Sequence, residues 1–200
     1  MVYLSEIRKT KKSGQGFTLI EMMVSVALFS VVMMITTGSL LSLIDVNRKA
    51  QALHSVMENL NIAVDGMIRA ARMGSTYHCD NSGLITAPAD CLQGSNFIAF
   101  ETYGGNPNTS SDQREYWFAK DANGIGRLYE SINGGATSYP VTAPEVNLQS
   151  VVFYVSGSTV QDSFQPKLIV VVKGITVSTK VKLQTSFTLQ ATASQRALDL

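Results

Sequence analysis

The sequence predicts an α+β protein: one long N-terminal helix, its first half a membrane span, packed through its second half on a mainly antiparallel β-sheet head. Three observations predict it. Met22–Ile44 is a run of 23 residues without a formal charge, long enough to cross a bilayer as a helix. From Val46 to Ala71 apolar residues recur at helical spacing. Beyond them, short runs rich in Val, Thr and aromatic residues alternate with Gly, Asn and Pro, the pattern of strands and turns. Two hundred residues suit one modest globular domain plus an anchor.

In chain order, residues 1–16 form a basic leader. It carries Arg8, Lys9, Lys11 and Lys12 against Glu6, so +3, while the remaining residues sum to −2 and the chain to +1. Residues 17–45 are the span, opened by a single carboxylate, Glu21. A charge inside a bilayer costs about 2.5–3.5 kcal/mol at its centre and less near its boundary, so Glu21 needs a reason to be there. Four residues separate Phe17 from Glu21, which on a helix puts both on one face. Thr36, Thr37, Gly38 and Ser39 form a small, polar-tolerant patch, either a place where the helix loosens or ordinary tolerance of such residues in a span.

Residues 46–73 continue the helix as an amphipathic segment. Val46, Leu53, Val56, Leu60, Val64, Met67, Ile68 and Ala71 make the stripe, Asp65 and Arg69 are spaced to pair, and Gly74 marks the stop. A helix from Phe17 to Met73 would extend roughly 85 Å. Residues 74–96 read as a loop, with Cys79 and Cys91 near its ends. Outside the cytoplasm the two cysteines form a disulfide; free thiols, or a zinc site with His78, are the alternatives, although no fourth ligand is at hand. Residues 97–200 are the head, with strands expected at Asn96–Tyr103, Arg114–Lys120, Gly124–Ser131, Asn147–Val155, Lys167–Ile175 and Ser178–Gln190, the last two joined near Gly174-Ile175-Thr176. Asn106–Asp112 spaces oxygen ligands loosely like a calcium loop but lacks the glycine and distal glutamate of an EF-hand, so a solvated turn is expected and no metal is assigned. His54 reads as a packed or surface histidine.

The stretch Gly16-Phe17-Thr18-Leu19-Ile20-Glu21, followed by the apolar run and preceded by basic residues, resembles the type IV prepilin family, which includes type IV pilins and the pseudopilins of type II secretion. The resemblance covers roughly residues 8–45. It implies a pilin fold, cleavage by a prepilin peptidase after Gly16, and N-methylation of the new N-terminus, Phe17. It also implies that Glu21 pairs with the Phe17 amine of a neighbouring subunit as the filament assembles. Gln15 departs from the lysine or arginine more common before the glycine. A secretory signal has a shorter apolar core and a small-residue cleavage site, and a plain uncleaved signal anchor is the stronger competitor. Basic residues before the span favour a cytoplasmic N-terminus in either case, with the head outside.

The expected function is therefore a pilin-like structural subunit, a minor pilin or pseudopilin. Its expected partners are other pilin or pseudopilin subunits, the prepilin peptidase, an inner-membrane platform protein and membrane lipid. Its expected location is the cytoplasmic membrane and then a surface or periplasmic filament. No basic stripe signals nucleic acid. No nucleophile elbow, Walker loop or zinc-protease motif signals an enzyme, and no cofactor is called for. A monomeric membrane-anchored binding domain is the alternative.

Overall fold

The computed structural model describes residues 16–80, 82–159, 164–176 and 184–196. The leader with Arg8, Lys9, Lys11, Lys12 and Gln15, the loop residue Asn81, and residues 178–183 of the last expected strand lie outside the described residues. The chain divides into two units, 1–46 and 47–200.

One helix, α1 (Leu19–Met73), contributes to both units. It starts two residues later than expected because Thr18 caps it: the Thr18 hydroxyl accepts the Glu21 amide at 3.3 Å and the Thr18 carbonyl accepts the Met22 amide at 3.2 Å. Phe17 therefore precedes the helix, and the shared helical face expected for Phe17 and Glu21 is not formed. The helix runs unbroken through Thr36–Ser39, so this patch does not loosen it. The Thr36 and Thr37 hydroxyls bond back to the Val32 and Met33 carbonyls, which satisfies them without disturbing the main chain.

In the second unit, the helix buries Val56, Leu60, Val64, Met67, Ile68 and Ala71, with Leu53 partly buried; Val46, also expected in the stripe, is exposed. Asp65 and Arg69 are both exposed and form no ion pair with each other. At the helix end the Ala71 carbonyl accepts both the Gly74 amide and the buried Tyr77 hydroxyl. Burial pushes the Tyr77 phenol well above its usual range. Gly74 is required by crowding: a Cβ there would lie 2.7 Å from the Glu101 carbonyl.

Among the described residues eight strands follow in two sheets, where a single sheet was expected. The first comprises β1 (Ser75–His78), β2 (Phe97–Glu101), β3 (Gln113–Lys120), β4 (Gly126–Ser131) and β5 (Tyr139–Pro140), in that order. The second comprises β6 (Val146–Ser156), β7 (Lys167–Thr176) and β8 (Ser186–Ser194). Every strand pairing within the sheets is antiparallel. Strand β1 was hidden inside the expected loop because it is four residues long and irregular, with Thr76 at φ 53° between its two pairing points. Gly174-Ile175-Thr176 does not turn the chain; it belongs to β7, where Gly174 and Ile175 pair with Phe187 and Ser186 of β8. The Asn123-Gly124 signal is a turn, closed by Asp121, whose carboxylate accepts the Asn123 and Ile125 amides and pairs with Arg127 at 2.8 Å.

The sheets meet at β6, an edge strand of the second. Ser95 exchanges two main-chain hydrogen bonds with Phe153 of β6, and the Gly126 amide at the start of β4 donates to the Asn147 side chain on β6. One core joins the helix stripe to Ile98 and Phe100 of β2, Leu128 of β4, Val151 and Phe153 of β6, and Leu168, Val170 and Val172 of β7.

Candidate functional site

Chemistry in this chain concentrates at its N-terminal junction. Gly16, Phe17 and Thr18 lead into the helix, and Glu21 sits in its first turn, where a carboxylate also suits the helix dipole. Thr18-Leu19-Ile20-Glu21 has the spacing of a capping box, of which the Thr18 half is formed. No hydrogen bond or ion pair engages the Glu21 carboxylate among the described residues. Phe17 is 77% exposed. A Cβ on Gly16 would meet nothing within 4 Å and its φ is not left-handed, so the fold itself does not demand glycine there.

From Leu19 to Ile44 the large apolar side chains all stand exposed, and no charge interrupts them after Glu21. This part of α1 is long and apolar enough to cross a membrane. Four of its hydroxyls are already served, since Ser25 and Ser30 bond back to the Glu21 and Val26 carbonyls as Thr36 and Thr37 do further on.

The other residues singled out from the sequence fall elsewhere. Cys79 and Cys91 form a disulfide with a Cα–Cα distance of 5.5 Å, which removes both thiolates from any zinc site. His78 is buried, its Nδ1 2.8 Å from the Ala87 carbonyl and its Nε2 3.0 Å from that of Ser82, so it braces the disulfide loop. Asp90 anchors that loop to the end of β6 by accepting the Gly157 and Ser158 amides and the Ser158 hydroxyl, a role the sequence did not announce. His54 is an exposed surface histidine, 3.5 Å from Glu58.

In the head, Glu130 accepts the Tyr116 hydroxyl and lies 3.4 Å from Arg114. Burial, then the Glu130 bond, pushes the Tyr116 phenol up. A cleft of about 660 Å³ lies between α1 and β8, with Asp65, Arg69, Arg72 and Arg196 on its walls and no nucleophile paired with a base. Among the described residues no three His, Cys, Asp or Glu side chains gather as a metal-binding group.

Comparison with known proteins bears on the N-terminal junction. A family model, the Prokaryotic N-terminal methylation motif, matches residues 11–37. The chain carries the prokaryotic N-terminal methylation motif. This is the class III signal peptide motif of type IV pilins and pseudopilins, and it supports a type IV pilin-like precursor. No curated protein and no solved structure matches the chain. The motif spans the Gly16–Phe17 junction, Glu21 and the first half of the exposed apolar helix, and leaves the head outside the match. With the long helix and antiparallel sheets it is consistent with the α+β pilin fold. The motif points to a structural subunit, implies assembly with other pilin subunits and action by a prepilin peptidase, and fits a membrane-anchored pilin.

Proposed function

We propose that this chain is a minor pilin or pseudopilin, cut between Gly16 and Phe17, N-methylated on Phe17, and assembled through α1 into a type IV pilus or a type II secretion-like filament. Before assembly it sits in the cytoplasmic membrane with its N-terminus in the cytoplasm and its head outside, as the basic residues ahead of the span favour. The observation that carries the proposal is the methylation motif over an apolar helix that is exposed along its first half and opens on an unengaged carboxylate.

Each part has a physical task. Glycine at 16 serves a peptidase site, since the chain's own packing places no demand on it. Cleavage creates a cationic amine at Phe17. Glu21 neutralises that amine on a neighbouring subunit, and the pair removes two charges from apolar surroundings together, where either alone would be costly. The exposed face of Leu19–Ile44 first contacts lipid and then other helices in the filament core. A platform protein in the inner membrane extracts the subunit, and no catalytic role falls to this chain.

The test is the intact mass and N-terminal sequence of the protein from its native membrane. The proposal expects a chain starting at Phe17 and carrying one added methyl group. A chain still starting at Met1 would overturn it in favour of an uncleaved, monomeric anchored domain.

A further inference from the structure

Arg114 and Arg127, on the first sheet, each lie against a carboxylate, that of Glu130 and that of Asp121. Arg69, Arg72 and Arg196 have no such partner among the described residues, and all three line the cleft between α1 and β8. All three are exposed. Arg69 and Arg72 stand one turn apart on α1, and Arg196 follows the end of β8. The Arg196 amide donates to the Arg72 carbonyl at 2.9 Å, a bond that ties the strand end to the helix end and fixes the two walls of the cleft. The strand end is held from its other side as well: the Gln195 amide donates to the Pro166 carbonyl, and Gln165 Nε2 to the Gln195 carbonyl, both at 2.9 Å. Thr192 and Ser194, two residues apart and so on one face of β8, add exposed hydroxyls to the same cleft.

Arginines in the last turn of a helix commonly serve its terminal carbonyls and its dipole. Here those carbonyls are served by other groups. That of Ala71 accepts the Gly74 amide and the Tyr77 hydroxyl, and that of Arg72 accepts the Arg196 amide. Arg196 is not on the helix at all. Asp65 is spaced to pair with Arg69 but does not, so it leaves the arginines free. Three guanidinium groups against one carboxylate put a formal charge of +2 around a cleft whose volume, about 660 Å³, is that of a small-molecule site.

We propose that this cleft binds a doubly charged phosphate group, as inorganic phosphate or as the monoester of a small molecule. The charge matches, since a phosphate monoester carries close to two negative charges at pH 7. The shape matches too. A tetrahedral phosphate presents its oxygens in several directions, so it can take guanidinium donors from α1 and β8 at once, with the Thr192 and Ser194 hydroxyls beside them. A carboxylate has two coplanar oxygens, which one guanidinium fork satisfies, and it would leave the other arginines unmet. From Asp65 to Arg72 the cleft follows about 10 Å of helix, enough for one phosphate and a small body attached to it, and short for a nucleic-acid backbone. Asp65 stands at the opposite end of that stretch from Arg72. It repels a second anionic group and accepts a hydroxyl, which favours a sugar or polyol as the body. The assignment rests on the head alone and does not depend on the filament reading.

The test uses the full chain in non-ionic detergent micelles at about 0.15 M NaCl, where loosely held surface ions are screened. Equilibrium dialysis with radiolabelled inorganic phosphate, and separately with glucose 6-phosphate, should count one site per chain for at least one of them; the tighter of the two names the source of the phosphate. Arg72→Gln and Arg196→Gln should each weaken that binding at least about tenfold, as the loss of a charged hydrogen bond does. Asp65→Asn should strengthen the binding of inorganic phosphate about two- to fivefold. Arg48→Gln, far down the same helix, should leave both ligands unaffected. Both site arginines are exposed, so the variants should keep the wild-type Tm, and Arg69→Gln replaces either one that does not. The proposal is overturned by a wild-type chain that binds neither ligand, or by undiminished binding in either folded arginine variant. It is equally overturned by tighter binding of an oligothymidine without terminal phosphates, whose singly charged diesters would make the cleft part of a nucleic-acid surface.

Discussion

The two halves of α1 use similar apolar residues to opposite ends. Leu40 is 57% exposed and Leu60 is fully buried, although both are leucines on one unbroken helix. Around Leu40 the helix carries no charge and exposes large apolar side chains on every side, whereas around Leu60 a stripe faces the sheets and Asn59, Asn61 and Asp65 lie among the polar residues of the rest of the surface. A helix with a stripe can be completed by its own chain; one that is apolar all round needs an apolar medium or other helices about it. The second half is therefore part of a finished fold, and the first half is an unfinished surface. That difference separates stability from assembly. Changes in 47–73 should act on folding, and changes in 19–46 on what the protein joins.

The largest expected effect tests that separation directly. Glu21→Ala should reduce filament incorporation to background while leaving the thermal unfolding of the head unchanged; normal incorporation, measured by immunoblot of sheared filaments, would remove the ion pair from the proposal. A matched pair of truncations comes next. Leu60→Ala should cost about 2–5 kcal/mol in the denaturant unfolding of the head, and Leu40→Ala should stay within about 0.5 kcal/mol. Equal costs would mean that the halves are not distinct after all.

How much of this could be read beforehand follows the same division. The long helix with its uncharged first half and six of the eight stripe residues were legible because long uncharged runs and helical spacing are local signals. The core positions of the long strands were legible too, since Val151–Val155 and Leu168–Val172 alternate in burial as β-branched runs do. The division into two sheets was not, because it depends on edge contacts such as Ser95 with Phe153, 58 residues away. The start of the helix could have been placed better: Thr18-x-x-Glu21 is a readable cap. The burial of Glu101 could not, since a glutamate ending an aromatic strand looks like a solvent-facing residue until Gln113 is brought opposite it.

Within the head, the next effect concerns the loop the sequence left without structure. The Cys79–Cys91 disulfide closes a short loop, and its reduction should cost about 3 kcal/mol, seen as a fall in Tm of about 6–12 °C. The Asp90 anchor and the His78 brace remain when the disulfide is opened, so the head should still unfold in one transition. Two transitions under reducing conditions would show that residues 79–91 form a separately melting part, and the head would then be less finished than the comparison holds.

The smallest effect probes a residue that the head accommodates imperfectly. Burial raises the Glu115 carboxyl above its usual 4.5, so its folded-state pKa exceeds the unfolded one. The sign follows from linkage: the stability tied to this group is fully present below the unfolded value and is lost as pH rises through the folded one. Glu115→Gln keeps the shape and removes the charge. It should raise Tm at pH 7, and the gain should fade as pH falls toward 4.5. A gain that persisted unchanged to pH 4 would assign it to packing against Gly135, whose Cβ position lies 3.1 Å from the carboxylate, and not to the cost of a buried charge.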